Sequence, residues 1–126
     1  MHDQPSVIEL VEAVKNFVDE TAMPELTGRA GFHARVASNV LGTILRDLEA
    51  RADNNESEKQ RLLSLLEAPE GTTLSELNEE LRNRIRSGAL NVQSDELMVH
   101  LKKTAISQLK VDQPNYSALK KATQEP

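Results

Sequence analysis

The sequence predicts an all-α protein, a compact bundle of about five helices. Its 126 residues include 17 Leu and 12 Ala but only nine Val and four Ile, a balance that favours helices over strands. Five Gly and five Pro supply too few turns for a many-stranded sandwich or barrel. Apolar residues recur at helical spacing along most of the chain. We therefore expect one helical domain over residues 1–116 and a polar, frayed tail over 117–126.

The first predicted helix begins at a capping box formed by residues 6–9, and Pro24 ends it. A second helix is expected from about Ala30 to Ala52, and the wide apolar arc on its surface indicates a central position. Residues 53–55, Asp-Asn-Asn, are predicted to break the chain before a third helix over residues 56–66.

A second capping box, at residues 73–76, opens the fourth predicted helix, and Gly88 lies where a helix C-terminal glycine belongs. Ser94 or Asp95 caps a fifth helix that runs to about Lys110. The residues expected on its apolar side are Leu97, Leu101, Ala105 and Leu109.

The composition excludes several classes of chemistry. Without cysteine, the chain has no disulfides, thiolate zinc sites or iron–sulfur clusters, which fits a cytoplasmic protein. We expect no signal peptide, because the first residues lack a basic start followed by an apolar segment, and no membrane span, because no apolar run is long enough. No histidine lies four residues from another, and no phosphate-binding loop or dinucleotide fingerprint is present. We therefore expect neither a metal site nor a cofactor.

Charge is unevenly distributed along the chain, whose net charge is −5. Residues 1–27 carry six acidic residues against one Lys, whereas residues 98–126 carry five Lys against two acidic residues. These two segments could attract each other within one molecule or between two copies. The overall negative charge argues against a nucleic-acid partner, because binding to the phosphate backbone requires a basic surface.

His33 lies in the middle of the apolar arc of the second predicted helix, where two interpretations compete. It is either a hydrogen-bonded core histidine or a pocket histidine that serves as a base or contacts a ligand. At about 100° per residue it points roughly 160° away from Arg35, so the two cannot easily share a small site. Phe17 and Phe32 lie on apolar helix faces and are expected to pack in the core.

Arg35, Asn39 and Arg46 form a separate polar row on the same helix. They could hold a carboxylate or a phosphate, or they could form an ordinary solvated face. In the fourth helix, Asn78 lies beside the apolar stripe, where we expect a half-buried, hydrogen-bonded amide. Arg86 lies in the last turn, where the helix dipole favours a cation.

Residues 28–41, GRAGFHARVASNVL, resemble the signature of a small bacterial family of unknown function. The resemblance extends over about residues 4–117 and includes residues 5–14 (PSVIELVEAV), 77–88 (LNEELRNRIRSG) and 111–116 (VDQPNY). Gln113 stands where an Asn is expected before the proline. The family is often encoded beside acyl-CoA dehydrogenases and aminoglycoside-phosphotransferase-like kinases. The resemblance therefore implies an accessory role in acyl-CoA or small-molecule catabolism, with a shared polar site made of His33, Arg35, Asn39, Asn78 and Arg86.

Two hypotheses of different kinds follow. The first is a nonenzymatic helical accessory protein that acts through a protein partner or as a homodimer. The second is a ligand-binding protein or enzyme that recognises an anionic small molecule, a carboxylate or a phosphate, through His33, Asn39 and neighbouring arginines.

Overall fold

Five α-helices make up the fold, and a computed structural model describes residues 3–124 of the chain. The helices are α1 (Val7–Asn16), α2 (Gly28–Leu66), α3 (Leu74–Ser87), α4 (Asp95–Asp112) and α5 (Ser117–Gln124). Within residues 3–124 no segment forms a strand, so the prediction of an all-helical protein with five helices is confirmed. The chain divides into two compact units, unit 1 (Met1–Arg51) and unit 2 (Ala52–Pro126).

α1 begins at the predicted capping box. The Ser6 amide donates to Glu9 Oε2 at 2.6 Å, and the Glu9 amide donates to Ser6 Oγ at 3.2 Å. Beyond α1 the chain stays helical, first as a π-helical segment (Phe17–Ala22) and then as a 3₁₀ turn (Met23–Glu25). The helical path therefore ends beside Pro24, as the sequence predicts.

The predicted break at residues 53–55 is wrong, because α2 runs without interruption from Gly28 to Leu66. Asp and Asn disfavour helix interiors by only a few tenths of a kcal/mol each, and good helix formers surround them. Side-chain bonds one turn apart support the helix on both sides: Arg51 Nε donates to Asp47 Oδ2 at 3.1 Å, and Gln60 Nε2 donates to Glu56 Oε1 at 2.8 Å. The predicted second and third helices are thus one helix.

In unit 1, the π-helical segment and α1 pack against the first part of α2 as an antiparallel hairpin. Ser38 Oγ donates a hydrogen bond to Asp19 Oδ1, and Lys15 Nζ lies 2.6 Å from Asp19 Oδ2. One turn further along α2, a Cβ atom on Gly42 would lie 3.6 Å from the Lys15 side chain. The hydrogen bonds from Lys15 and Ser38 lower the pKa of Asp19. This contact is therefore polar and built on small residues.

Phe17 and Phe32 do not pack in a core, contrary to expectation. Their side chains are 59% and 60% exposed. Among the described residues of unit 1, only Ser38 and Gly42 are buried. The hairpin closes on the side of the helices that carries these small residues, so the neighbouring faces with the aromatic residues stay in solvent.

The core of the described residues lies in unit 2. Its buried residues are Leu62, Leu66, Leu77, Leu81 and Leu97, contributed by α2, α3 and α4. α3 has the predicted capping box at Thr73 and Glu76, and it ends at Gly88 with φ of 81°, a left-handed conformation that glycine adopts without steric cost.

The predicted polar tail contains a helix, α5, where we expected a frayed segment. Leu119 of α5 and Val111 of α4 are both 7% exposed. Burial of one leucine per two turns is enough to hold a short polar helix against its neighbour. Val111 lies one residue past Lys110, the predicted end of the fifth helix, because α4 runs to Asp112.

Candidate functional site

A buried histidine is the unusual feature of unit 2. His100 of α4 is only 3% exposed, as is Leu97 three residues earlier. Thr104, one turn later, is half-buried, and Val111 is buried on the same side of the helix. The inward face of α4 therefore differs from the predicted one, because Leu101 is 41% exposed and Ala105 is also exposed.

Arg61 of α2 accounts for the burial of these polar side chains. Its Nε atom lies 3.4 Å from His100 Nδ1, and its Nη2 atom lies 3.1 Å from Thr104 Oγ1. Because arginine can only donate, Nδ1 accepts the hydrogen bond, and the proton of the neutral imidazole lies on Nε2. The three side chains thus join α2 to α4 through polar contacts at the edge of the leucine core.

Burial of the ring lowers the pKa of His100, and the positive charge of Arg61 lowers this pKa further. Glu58 acts in the opposite direction but has the smallest effect of the three. His100 is therefore a neutral hydrogen-bond donor at physiological pH.

An open groove of about 520 Å³ lies over this cluster, and we call it the His100 groove. α2 and α4 line it with Gln60, Arg61, Ser64, Leu65, Asp95, Glu96, Val99, His100 and Lys103. No fully buried side-chain nitrogen or oxygen within residues 3–124 lacks a hydrogen-bond partner. His100 Nε2 makes no such bond there, so its N–H group is not fully buried, and His100 is one of the residues that line the groove.

The lowered pKa of His100 predicts a pH-dependent stability. The unfolded chain takes up the proton near pH 6.5, whereas the folded protein takes it up only at lower pH. The neutral ring therefore makes its full contribution to the free energy of unfolding above pH 6.5, and this contribution is lost as the pH falls below that value. We expect urea unfolding curves to show a steeper loss of stability below pH 6.5 for the wild type than for His100→Gln. His33→Gln, a change at an exposed histidine, is the matched control and should keep the wild-type slope.

The sequence-predicted site residues fall in both units. His33, Arg35 and Asn39 are exposed in unit 1, and Arg86 is exposed in unit 2. Asn78, also in unit 2, is half-buried and donates to Glu58 Oε1 at 3.0 Å and to the Leu74 carbonyl at 3.2 Å, as predicted. Within residues 3–124, no hydrogen bond or ion pair joins any two of these five. A shared site made of them stays a prediction.

His33 is not a core residue, so that interpretation is wrong. Its ring is exposed and meets the Phe32 ring edge-on, with the ring centroids 5.6 Å apart. The hairpin contact uses Ser38 and Gly42, which lie on another side of α2. In the separate polar row of Arg35, Asn39 and Arg46, Arg46 Nη2 donates to Thr43 Oγ1 at 3.1 Å.

Sequence reasoning missed His100 and Arg61. One signal was present: His100 follows Leu97 by three residues, which is core spacing on a helix. Nothing local indicates that Arg61 is its partner, because the two residues lie 39 positions apart.

Two kinds of feature do not occur among the described residues. In residues 3–124, no three His, Asp or Glu side chains are grouped closely enough to hold a metal ion. No helix within that range has the length and apolar character that crossing a membrane requires.

Over residues 3–124 the fold defines an all-helical protein. Residues 24–116 match the family described as Domain of unknown function (DUF6285), and since this match covers most of the chain, the protein belongs to that family. The searches of curated proteins and of solved structures found no match.

Proposed function

We propose that this protein is a nonenzymatic helical binding protein whose unit 1 pairs with a second copy of the chain. Two apolar stripes of the hairpin carry this proposal. The α1 stripe consists of Val7, Leu10, Val14 and Phe17, and the α2 stripe consists of Phe32, Val36, Val40 and Ile44. These eight side chains are 41% to 62% exposed.

The spacing of the stripes supports a protein partner. Their members recur every three or four residues, so each stripe follows one side of its helix. The contact within the hairpin is made by Lys15, Asp19, Ser38 and Gly42. Within residues 3–51, the part of unit 1 that the structure describes, the stripes stay exposed. Exposed apolar surface of this extent is uncommon on a soluble monomer and marks interaction sites.

The length of the α2 stripe supports a second copy as the occupant. Its four side chains are 41% to 60% exposed and extend over about three helical turns, so the same stripe of another copy can pack along it. Two hairpins that pack through such faces form a four-helix arrangement, a common way to bury apolar helix faces. The stripes contain no charged residue, so two identical faces meet without repulsion between like charges.

The opposite charges of the two chain ends add to this argument. Residues 1–27 have a net charge of −5 and residues 98–126 a net charge of +3, so the acidic end of one copy is attracted to the basic end of another. Any contribution of this kind weakens as the salt concentration rises.

Sedimentation equilibrium of the wild type, Val40→Lys and Val92→Lys tests the proposal. In a two-fold dimer, Val40→Lys places two charges in the interface, and we expect its dimer to be at least about 100-fold weaker, or about 2.7 kcal/mol. Val92 is 75% exposed in the connection between α3 and α4, so Val92→Lys, the matched control, should dimerise like the wild type.

Two results would overturn self-association: a wild type that is monomeric at every concentration, or a Val40→Lys variant that is as dimeric as the wild type. Far-UV circular dichroism of each variant separates loss of the dimer from loss of the fold.

We place this binding protein in the bacterial cytoplasm, as an accessory protein in acyl-CoA or small-molecule catabolism. The resemblance carried by residues 28–41 supports the setting, and the absence of cysteine is compatible with a reducing compartment.

A further inference from the structure

We propose that the His100 groove binds a small aminocarboxylate, a molecule with a carboxylate and an ammonium group separated by a short apolar chain. This ligand goes beyond the self-association proposed for unit 1, and it uses residues of unit 2 alone. The groove has the volume typical of small-ligand sites, about 520 Å³.

The carboxylate end of the ligand is defined by two donors that line the groove, His100 and Arg61. His100 is only 3% exposed, and its one hydrogen bond within residues 3–124 is at Nδ1, which leaves the Nε2–H group to donate to a ligand. Arg61 is half-buried and donates only to two neutral acceptors, His100 and Thr104. No ion pair to Arg61 occurs in that range, and Glu58, the nearby carboxylate, accepts a hydrogen bond from Asn78 instead, so the guanidinium can take an anion beside it. A ligand carboxylate would accept hydrogen bonds from both side chains.

The ammonium end is defined by the first turn of α4. Asp95 and Glu96 line the same groove, and Glu96 lies one helical turn, about 6 Å, before His100. A simple carboxylate would be repelled by these two groups, whereas a ligand ammonium would pair with them. Lys103 lies at the other end, one turn after Val99, so the groove changes from acidic to basic along α4.

The apolar lining accounts for the spacer. Leu65 and Val99 supply the apolar part of the lining, and Val99, which lies between Glu96 and Lys103 on α4, is 52% exposed. A chain of two to four methylene groups would cover this surface while its two charged ends reach their partners. The groove then distinguishes an aminocarboxylate from a simple carboxylate or a simple amine because only the first carries both charged groups.

Titrations of the full chain with 4-aminobutyrate, butyrate and butylamine test this assignment. The readouts are calorimetry and the NMR signals of the His100 ring nitrogens. We expect 4-aminobutyrate to bind saturably and to shift the Nε2 signal, and we expect butyrate and butylamine to bind at least tenfold more weakly. Equal binding of butyrate would overturn the aminocarboxylate assignment, and no binding of any probe would overturn the site.

Variants locate the binding within the groove. Arg61→Met should abolish binding, but it also removes bonds that join α2 to α4, so a second variant is needed. Lys103→Met changes an exposed side chain and should weaken 4-aminobutyrate binding about tenfold with the fold unchanged. Lys110→Met is the matched control on the same helix, outside the groove, and should bind like the wild type. If Lys103→Met and Lys110→Met have the same effect, the ligand does not occupy the groove.

Discussion

Replacement of Leu62 by Ala is expected to lower the free energy of unfolding by about 2–5 kcal/mol. Leu62 is 0% exposed and lies among Leu66, Leu77, Leu81 and Leu97, so truncation removes apolar contacts and leaves a cavity. Small domains are stable by only about 5–15 kcal/mol, so the loss is a large share of the total. Urea unfolding followed by circular dichroism measures it.

Leu101→Ala is the matched control for Leu62→Ala. It removes the same atoms from a helix, but Leu101 is 41% exposed, so we expect a loss of about 1 kcal/mol or less. A similar loss for both variants would show that the core is not centred on Leu62.

Introduction of proline at residue 54 is expected to destabilise the protein by about 3 kcal/mol or more. Proline lacks the amide hydrogen that bonds to residue 50, and its ring clashes with the carbonyl of that residue. The structure places Asn54 in the interior of α2, between Gly28 and Leu66, whereas a loop over residues 53–55 would tolerate the change. Urea unfolding of Asn54→Pro therefore distinguishes a continuous helix from a broken one.

Asn54→Ala provides the control. It removes the same amide side chain but retains the backbone donor, and alanine is the best helix former, so this variant should be as stable as the wild type or slightly more stable. Wild-type stability of Asn54→Pro would mean that α2 is interrupted at this point.

The features that sequence could predict are those encoded within a few neighbouring residues. Both capping boxes and the C-terminal Gly88 lie where expected, because each depends on contacts three or four positions apart. The half-buried amide of Asn78 was also predictable, because Leu74 and Ile85 define the stripe beside it.

The features that sequence could not predict depend on partners far along the chain. On α4, helical spacing allows Leu97 to share the inward face either with Leu101 or with His100. Hydrophobicity favours Leu101, which is why the sequence predicts the wrong face. Arg61, on another helix, makes the second choice possible by bonding to the buried ring. Likewise, the apolar arc of α2 predicts burial of Phe32, yet the hairpin closes through Ser38 and Asp19.

The continuity of α2 has a practical consequence for dissecting the molecule. A fragment that begins at residue 52 would contain only the last 15 residues of α2, a length at which an isolated helix is marginal. Asp53 lies in the interior of the long helix, but aspartate is a favoured N-cap residue, and Glu56 follows it by three positions. Residues 53–56 could therefore begin a helix in a shorter chain. A fragment meant to contain unit 2 alone should begin at residue 53, so that Asp53 can cap its first helix.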